Sequence, residues 1–88
     1  LRFEWDPAKE LTFLEACFVF NDEYMLSIYD EEHSEDEERW ITLGAVGARI
    51  LVVVHTYRKV KGKEVVRIIS ARLSTKIEEE QYFKRRGK

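Results

Sequence analysis

Residues 39–71 read RWITLGAVGARILVVVHTYRKVKGKEVVRIISA, and the way this stretch divides decides the fold. Arg39 to Leu43 and Arg49 to Thr56 are dominated by β-branched, aliphatic and aromatic side chains and read as strands. Between them lies Gly44-Ala45-Val46-Gly47, where two glycines permit a tight hairpin. A second hairpin passes through the basic loop around Lys61-Gly62-Lys63 into a strand from Glu64 to Ala71, whose core is Val65, Val66, Ile68 and Ile69. Consecutive strands joined by short turns make an antiparallel meander. Working outward, Met25 to Tyr29 suits another strand, and Phe3-Glu4-Trp5 alternates apolar, polar, apolar as a short opening strand.

The remaining elements are helical. Asp6-Pro7 supplies an N-cap and a first-turn proline, yet Thr12 with Glu15 forms a capping box for a second helix. That leaves Pro7 to Leu11 hardly more than one turn. In the second helix Leu14, Cys17 and Phe18, with Phe13 and Phe20, recur at helical spacing, and Asn21-Asp22 ends it. Thr75 with Glu78 is a further capping box, opening a charged helix that runs toward Arg86 and stops by Gly87. The order predicts an α+β domain, an antiparallel β-meander of about four to five strands covered by N-terminal helices and a C-terminal helix. Eighty-eight residues suit a single domain spanning 1–88. Helices in so short a chain cannot cover both sheet faces completely. A partly open face carrying Arg67 and neighbouring basic residues therefore stays available to a ligand.

The 44% apolar content, with two Trp, four Tyr and five Phe, argues against a disordered chain. Cys17, the only cysteine, has no partner for an intrachain disulfide and suits a reducing compartment. The longest apolar run, Ile50 to Val54, is far short of a membrane span, and the N-terminus lacks a signal-like stretch, so the expected location is the cytoplasm. The formal net charge of −2 conceals segregation. Residues 1–48 hold three basic side chains against thirteen acidic, net −10, whereas residues 49–88 hold twelve against four, net +8. Either the halves neutralise each other across the fold, or one surface meets an anionic partner, nucleic acid being the first candidate.

Three segments together resemble the BrnT toxin family. They are Phe3-Glu4-Trp5-Asp6-Pro7-Ala8-Lys9, Asp30 through Arg39 with its His33-Ser34 and Glu37-Glu38-Arg39, and Arg67-Ile68-Ile69-Ser70-Ala71-Arg72. Val52-Val53-Val54-His55-Thr56 is also similar to the family's central strand. The resemblance implies a RelE-like fold, RNA cleavage that blocks translation, and a hetero-oligomer with an inhibitory BrnA-type antitoxin. One stretch departs from the family pattern. Its Asn-x-x-Lys-His-Gly-like segment has no counterpart here, because Glu10-Leu11-Thr12-Phe13 follows Lys9 directly.

Metal-free RNA cleavage proceeds by attack of the ribose 2′-OH on the adjacent phosphorus, so it needs a base, an acid and cations around the phosphate. Glu38 is a candidate base, and His33 is base, acid or simply a solvated loop histidine. Arg39, Arg67 and Arg72 are candidates to bind phosphate through planar bidentate contacts, although for Arg39 and Arg72 a salt bridge to the acidic loop is the alternative. Tyr82 is a candidate to stack on a base or donate a proton. Glu78 fits its cap better than catalysis, and His55, at the end of a core strand, reads as a satisfied structural histidine. The sequence shows no zinc spacing and no phosphate-cradling glycine loop, and the carboxylates of Asp36, Glu37 and Glu38 fall in a loop that rarely fixes a metal geometry. The leading expectation is thus an endoribonuclease toxin without metal or organic cofactor, with RNA and an antitoxin as partners and no membrane. A non-catalytic module that binds nucleic acid or protein is the alternative.

Overall fold

The computed structural model of the chain describes residues 2–5, 13–33 and 38–87. The short helix expected over Pro7 to Leu11, the Thr12 end of its neighbour's capping box and the acidic loop at 34–37 lie outside the described residues. The elements are β1 (Arg2–Trp5), α1 (Phe13–Phe18) continued by a 3₁₀ turn (Val19–Asn21), and β2 (Leu26–Tyr29) followed by a second 3₁₀ turn (Glu31–His33). Then come β3 (Arg39–Val46), β4 (Arg49–Val60), β5 (Lys63–Leu73) and α2 (Lys76–Arg85). They form an α+β fold around a five-stranded sheet of order β1-β5-β4-β3-β2.

Strands β2 to β5 are the expected antiparallel meander, but β1 joins the far edge of β5 in parallel, so the sheet is mixed. Parallel pairing needs a crossover connection, and the chain between β1 and β5 contains every other strand. The first hairpin also differs from expectation. Gly44, Ala45 and Val46 belong to β3, and the turn is Gly47-Ala48, with Gly47 at φ +64°. At the second hairpin the turn narrows to Lys61 and Gly62, with φ of 53° and 79°. Positive φ at both central residues gives the backbone twist that matches the flanking strands.

The run Ile50 to Val54 is continuously apolar because helices lie on both faces of β4. Leu51 and Val53 pack with Ala16 and Val19 of the α1 segment, Val66 and Ile68. Ile50 and Val52 point the other way, onto Leu43 and Tyr82 of α2. Strands covered on both faces lose the alternating pattern of a half-buried sheet. Of the expected apolar stripe, Cys17 and Phe20 do pack against the core, and Leu14 and Phe18 differ. Ala16 and Val19 are fully buried, whereas Leu14 and Phe18 are 63% and 46% exposed. Small residues at 16 and 19 let the short helix sit close to the sheet. Helix α2 begins at the expected capping box, Thr75 Oγ1 accepting from the Glu78 amide and Glu78 accepting from the Thr75 amide. Gly87, at φ +82°, follows its last turn.

Candidate functional site

Alternation along the strands sorts the charged residues by face. On the α2 side, Ile41 and Leu43 place Arg39, and Val52 places Val54 and Thr56, while Val66 and Ile68 on the α1 side leave Arg67 between them to face the α2 side. The register sets Arg39 opposite Thr56, and Thr56 opposite Arg67, in one row across three strands. Arg67 and Arg72 are five residues apart and in an unbroken strand would point to opposite faces. The register shifts between Val54 and His55, however, which pair with Ser70 and Ile68 and leave Ile69 unmatched. This bulge returns Arg72 to the face of Arg67. One extra residue therefore gathers Arg39, Arg67 and Arg72 on the same side, the last two exposed and the first half-buried.

Arg72 is held by Glu78 through parallel bonds, Nη1 to Oε1 at 2.7 Å and Nη2 to Oε2 at 2.8 Å. Glu78 thus does two jobs, capping α2 and fixing the guanidinium. The Arg72 bonds, aided by the Thr75 amide and opposed by partial burial, hold its carboxyl down at about 2. Of the proton-transfer candidates, Glu38 is exposed where the chain enters β3 and lines a cleft with Tyr57, Arg58, Lys59 and Glu64. The backbone of His33 closes the second 3₁₀ turn, and its side chain lies outside the described residues.

Tyr82 corrects the sequence reading. It is fully buried among Leu43, Ile50 and Val52, which leaves no ring face for a base to stack on. Its hydroxyl donates to the Asp22 carboxylate, and burial together with Asp22 pushes its pKa up to about 12, which unsuits it as an acid at neutral pH. In the sequence Asp22 marks only a helix stop. It also accepts from the amides of Tyr24 at 2.9 Å and Ala45 at 2.8 Å, tying the 3₁₀ turn to β3 and α2. Burial opposes ionisation of Asp22, but these bonds and nearby Arg86 outweigh it and lower its pKa. Arg86 lies over the Tyr24, Tyr82 and Phe83 rings, 5.3 to 5.7 Å from their centroids. No local sequence signal joins residues 22 and 82, which meet only in the fold.

The opposite face carries a chain of hydroxyls. Ser27 Oγ lies 2.8 Å from Thr42 Oγ1, which lies 2.6 Å from Nε2 of fully buried His55. His55 is satisfied at that nitrogen alone, since its Nδ1 is buried without a hydrogen-bond partner among the described residues. Desolvation holds its pKa at about 4, below its ordinary 6.5. The unfolded chain takes up a proton below about pH 6.5, so His55 contributes its full stability above that pH and loses it as the pH falls toward 4. Thermal unfolding should therefore move to lower temperature across that window. In a His55→Gln variant the slope should shrink, and an unchanged slope would assign the proton to another group.

Among the described residues, no group of three or more His, Cys, Asp and Glu is placed to hold a metal ion. No helix there is long and apolar enough to cross a membrane. What the fold and this face define is a small α+β domain with arginines concentrated on one side of a mixed sheet. Residues 5–78 match the model of the BrnT ribonuclease toxins of type II toxin-antitoxin systems, and the chain belongs to that family. Comparison with curated proteins returned no match. Family membership makes the protein a ribonuclease toxin and gives it an antitoxin protein as partner.

Proposed function

We propose that this chain is an endoribonuclease toxin of RelE-like fold that cleaves RNA without metal or organic cofactor on the arginine-bearing sheet face, and that a BrnA-type antitoxin silences it by covering that face. The observation that supports this reading is the bulge at Ile69, which brings Arg67 and Arg72 to the side of Arg39. Bulges recur beside active sites because they re-aim side chains. In the proposed reaction the 2′-oxygen attacks phosphorus and the P–O5′ bond breaks, leaving a 2′,3′-cyclic phosphate and a 5′-hydroxyl. Arginines stabilise the charge that builds on the phosphoryl oxygens. Glu38, from the cleft it shares with Tyr57 and Arg58 at the entry to β3, accepts the 2′ proton, and His33 delivers one to O5′.

Purified protein incubated with RNA in excess EDTA should give fragments ending in cyclic phosphate, and adding the antitoxin should stop the reaction. Loss of cleavage in EDTA with recovery on adding Mg²⁺ would remove the metal-free mechanism. The bidentate Arg72–Glu78 pair favours one rival, a module in which Arg72 is structural and RNA is held without being cut. That rival would retain RNA in a salt-dependent way and release no product.

A further inference from the structure

Strand β2 is the outermost strand on its side of the sheet, and a single bond tells which of its backbone groups face outward. The Asp30 amide donates to the carbonyl of Arg39, the residue opposite it, at 2.8 Å. In an antiparallel ladder, opposite residues alternate between exchanging both backbone bonds and exchanging none. Leu26 and Ile28 therefore turn their amides and carbonyls toward β3, and Ser27 and Tyr29 turn theirs away from the sheet. The side chains agree, because the Ser27 and Thr42 hydroxyls meet at 2.8 Å, the closer approach that an unbonded pair permits. Among the described residues no strand pairs with this edge. It is apolar as well as open, with Ile28 42% and Tyr29 41% exposed, one on each face. An edge of this kind is a template for another chain unless something guards it.

The guard here is selective. Glu23 precedes β2 and Glu31 and Glu32 follow it, and all three are exposed and without an ion pair among the described residues. Two copies paired antiparallel about Ser27 would set Glu23 of each opposite Glu31 of the other, and like charges directly opposite destabilise a sheet. The same carboxylates attract a strand that carries cations at its ends. We infer that the β2 edge receives an extended segment of the antitoxin as a sixth strand, with Lys or Arg near its ends and apolar side chains beside Ile28 and Tyr29. Backbone bonds to Ser27 and Tyr29 supply affinity, and the alternating side chains supply selectivity. The inference adds a contact to the proposed covering of the arginine face. Strands lie about 4.8 Å apart, so the added strand runs about 10 Å from β3 and Arg39, close enough for the chain that leaves it to continue onto that face.

Amide hydrogen exchange, read residue by residue on the full chain, tests this directly. In the free protein the amides of Ile28 and Asp30 should exchange slowly and those of Ser27 and Tyr29 fast. Saturation with the purified cognate antitoxin should slow the latter two by at least about 10-fold. Unchanged exchange at both in the saturated complex would overturn the proposal. Ser27→Pro removes an outward amide and leaves the bonds to β3 in place, so it should weaken antitoxin binding by about 10-fold. Ser27→Ala, which loses the bond to Thr42 and keeps the amide, should bind like wild type. Equal losses in the two variants would assign the effect to the Ser27–Thr42 contact and overturn the edge. Should Ser27→Pro melt well below Ser27→Ala, the exchange measurement on the unaltered chain decides. Glu31→Lys combined with Glu32→Lys should slow association and reduce its dependence on salt, and faster association would contradict a basic segment. Free protein should sediment as a monomer, and a dimer that Ser27→Pro dissolves would give the edge to a second copy instead. The wider reading fails separately. Should these amides be protected in a complex that still cuts RNA, the covering of the arginine face falls and the edge contact stands.

Discussion

Arg72→Ala should slow RNA cleavage by about 10²- to 10³-fold, the usual loss when one preorganised donor to a developing oxyanion is removed. Preorganisation is the reason for expecting an effect this large. Glu78 holds the guanidinium by two parallel bonds, and Glu78 is itself anchored by the capping box of α2, so little reorientation remains to be done during reaction. Stability should change little. The Arg72 side chain is 44% exposed, an ion pair at such a site contributes modestly, and Glu78 keeps its bonds to Thr75. Glu38→Gln should fail in another way, flattening the acidic limb of the pH-rate profile because a proton acceptor is lost while shape is kept. Rates measured on both proteins at several pH values, beside their unfolding temperatures, check these expectations. A Glu38→Gln protein with normal rate and profile would transfer the role of base to His33. An Arg72→Ala protein that cuts RNA at the wild-type rate would reduce Arg72 to a brace for α2.

The contrast between what was legible in the sequence and what was not follows from the range of the signals. The meander and the cap of α2 are written in neighbouring residues, strand-forming runs broken by glycines and a Thr-x-x-Glu spacing, and the structure has both, with the first turn moved to Gly47-Ala48. The parallel β1–β5 pairing joins residues more than sixty positions apart and has no local mark. At the candidate site, Arg39, Arg67 and Arg72 could be singled out by charge and position, but their shared face could not. A five-residue spacing in a strand argues for opposite faces, and only the partner strand shows that Ile69 is an extra residue. Tyr82 misled in another way. A tyrosine near basic residues suits base stacking, whereas its hydroxyl partner is Asp22, on the far side of the chain.

Gly44 is where the turn reading failed, and it yields the largest expected effect on stability. It lies inside β3, paired with Leu51, in a conformation that does not itself demand glycine. Relieving a strand of glycine ordinarily helps, by roughly 0.5–1 kcal/mol relative to Ala. Here the surroundings reverse the sign. A β-carbon at Gly44 would meet Val19 Cγ1 at 2.7 Å, the Val19 carbonyl oxygen at 2.9 Å and Val19 Cα at 3.3 Å. A side-chain methyl can rotate away, but a carbonyl oxygen moves only with its backbone. That backbone is the 3₁₀ turn which Asp22 fastens to the Ala45 amide, one residue from the clash. Gly44→Ala should therefore lift the turn from the sheet, at an overpacking cost of about 1–3 kcal/mol. For a domain of this size each kcal/mol moves Tm by roughly 4–8 °C, so a fall on the order of 10 °C is expected, and a larger one for Gly44→Val. Adding Val19→Ala to Gly44→Ala removes the Cγ1 contact and leaves the oxygen, so it should restore none of the lost stability that the backbone contact causes. A Gly44→Ala protein that melts within two degrees or so of wild type would show instead that the turn slides aside freely, and the close approach of Val19 would not be what keeps residue 44 a glycine.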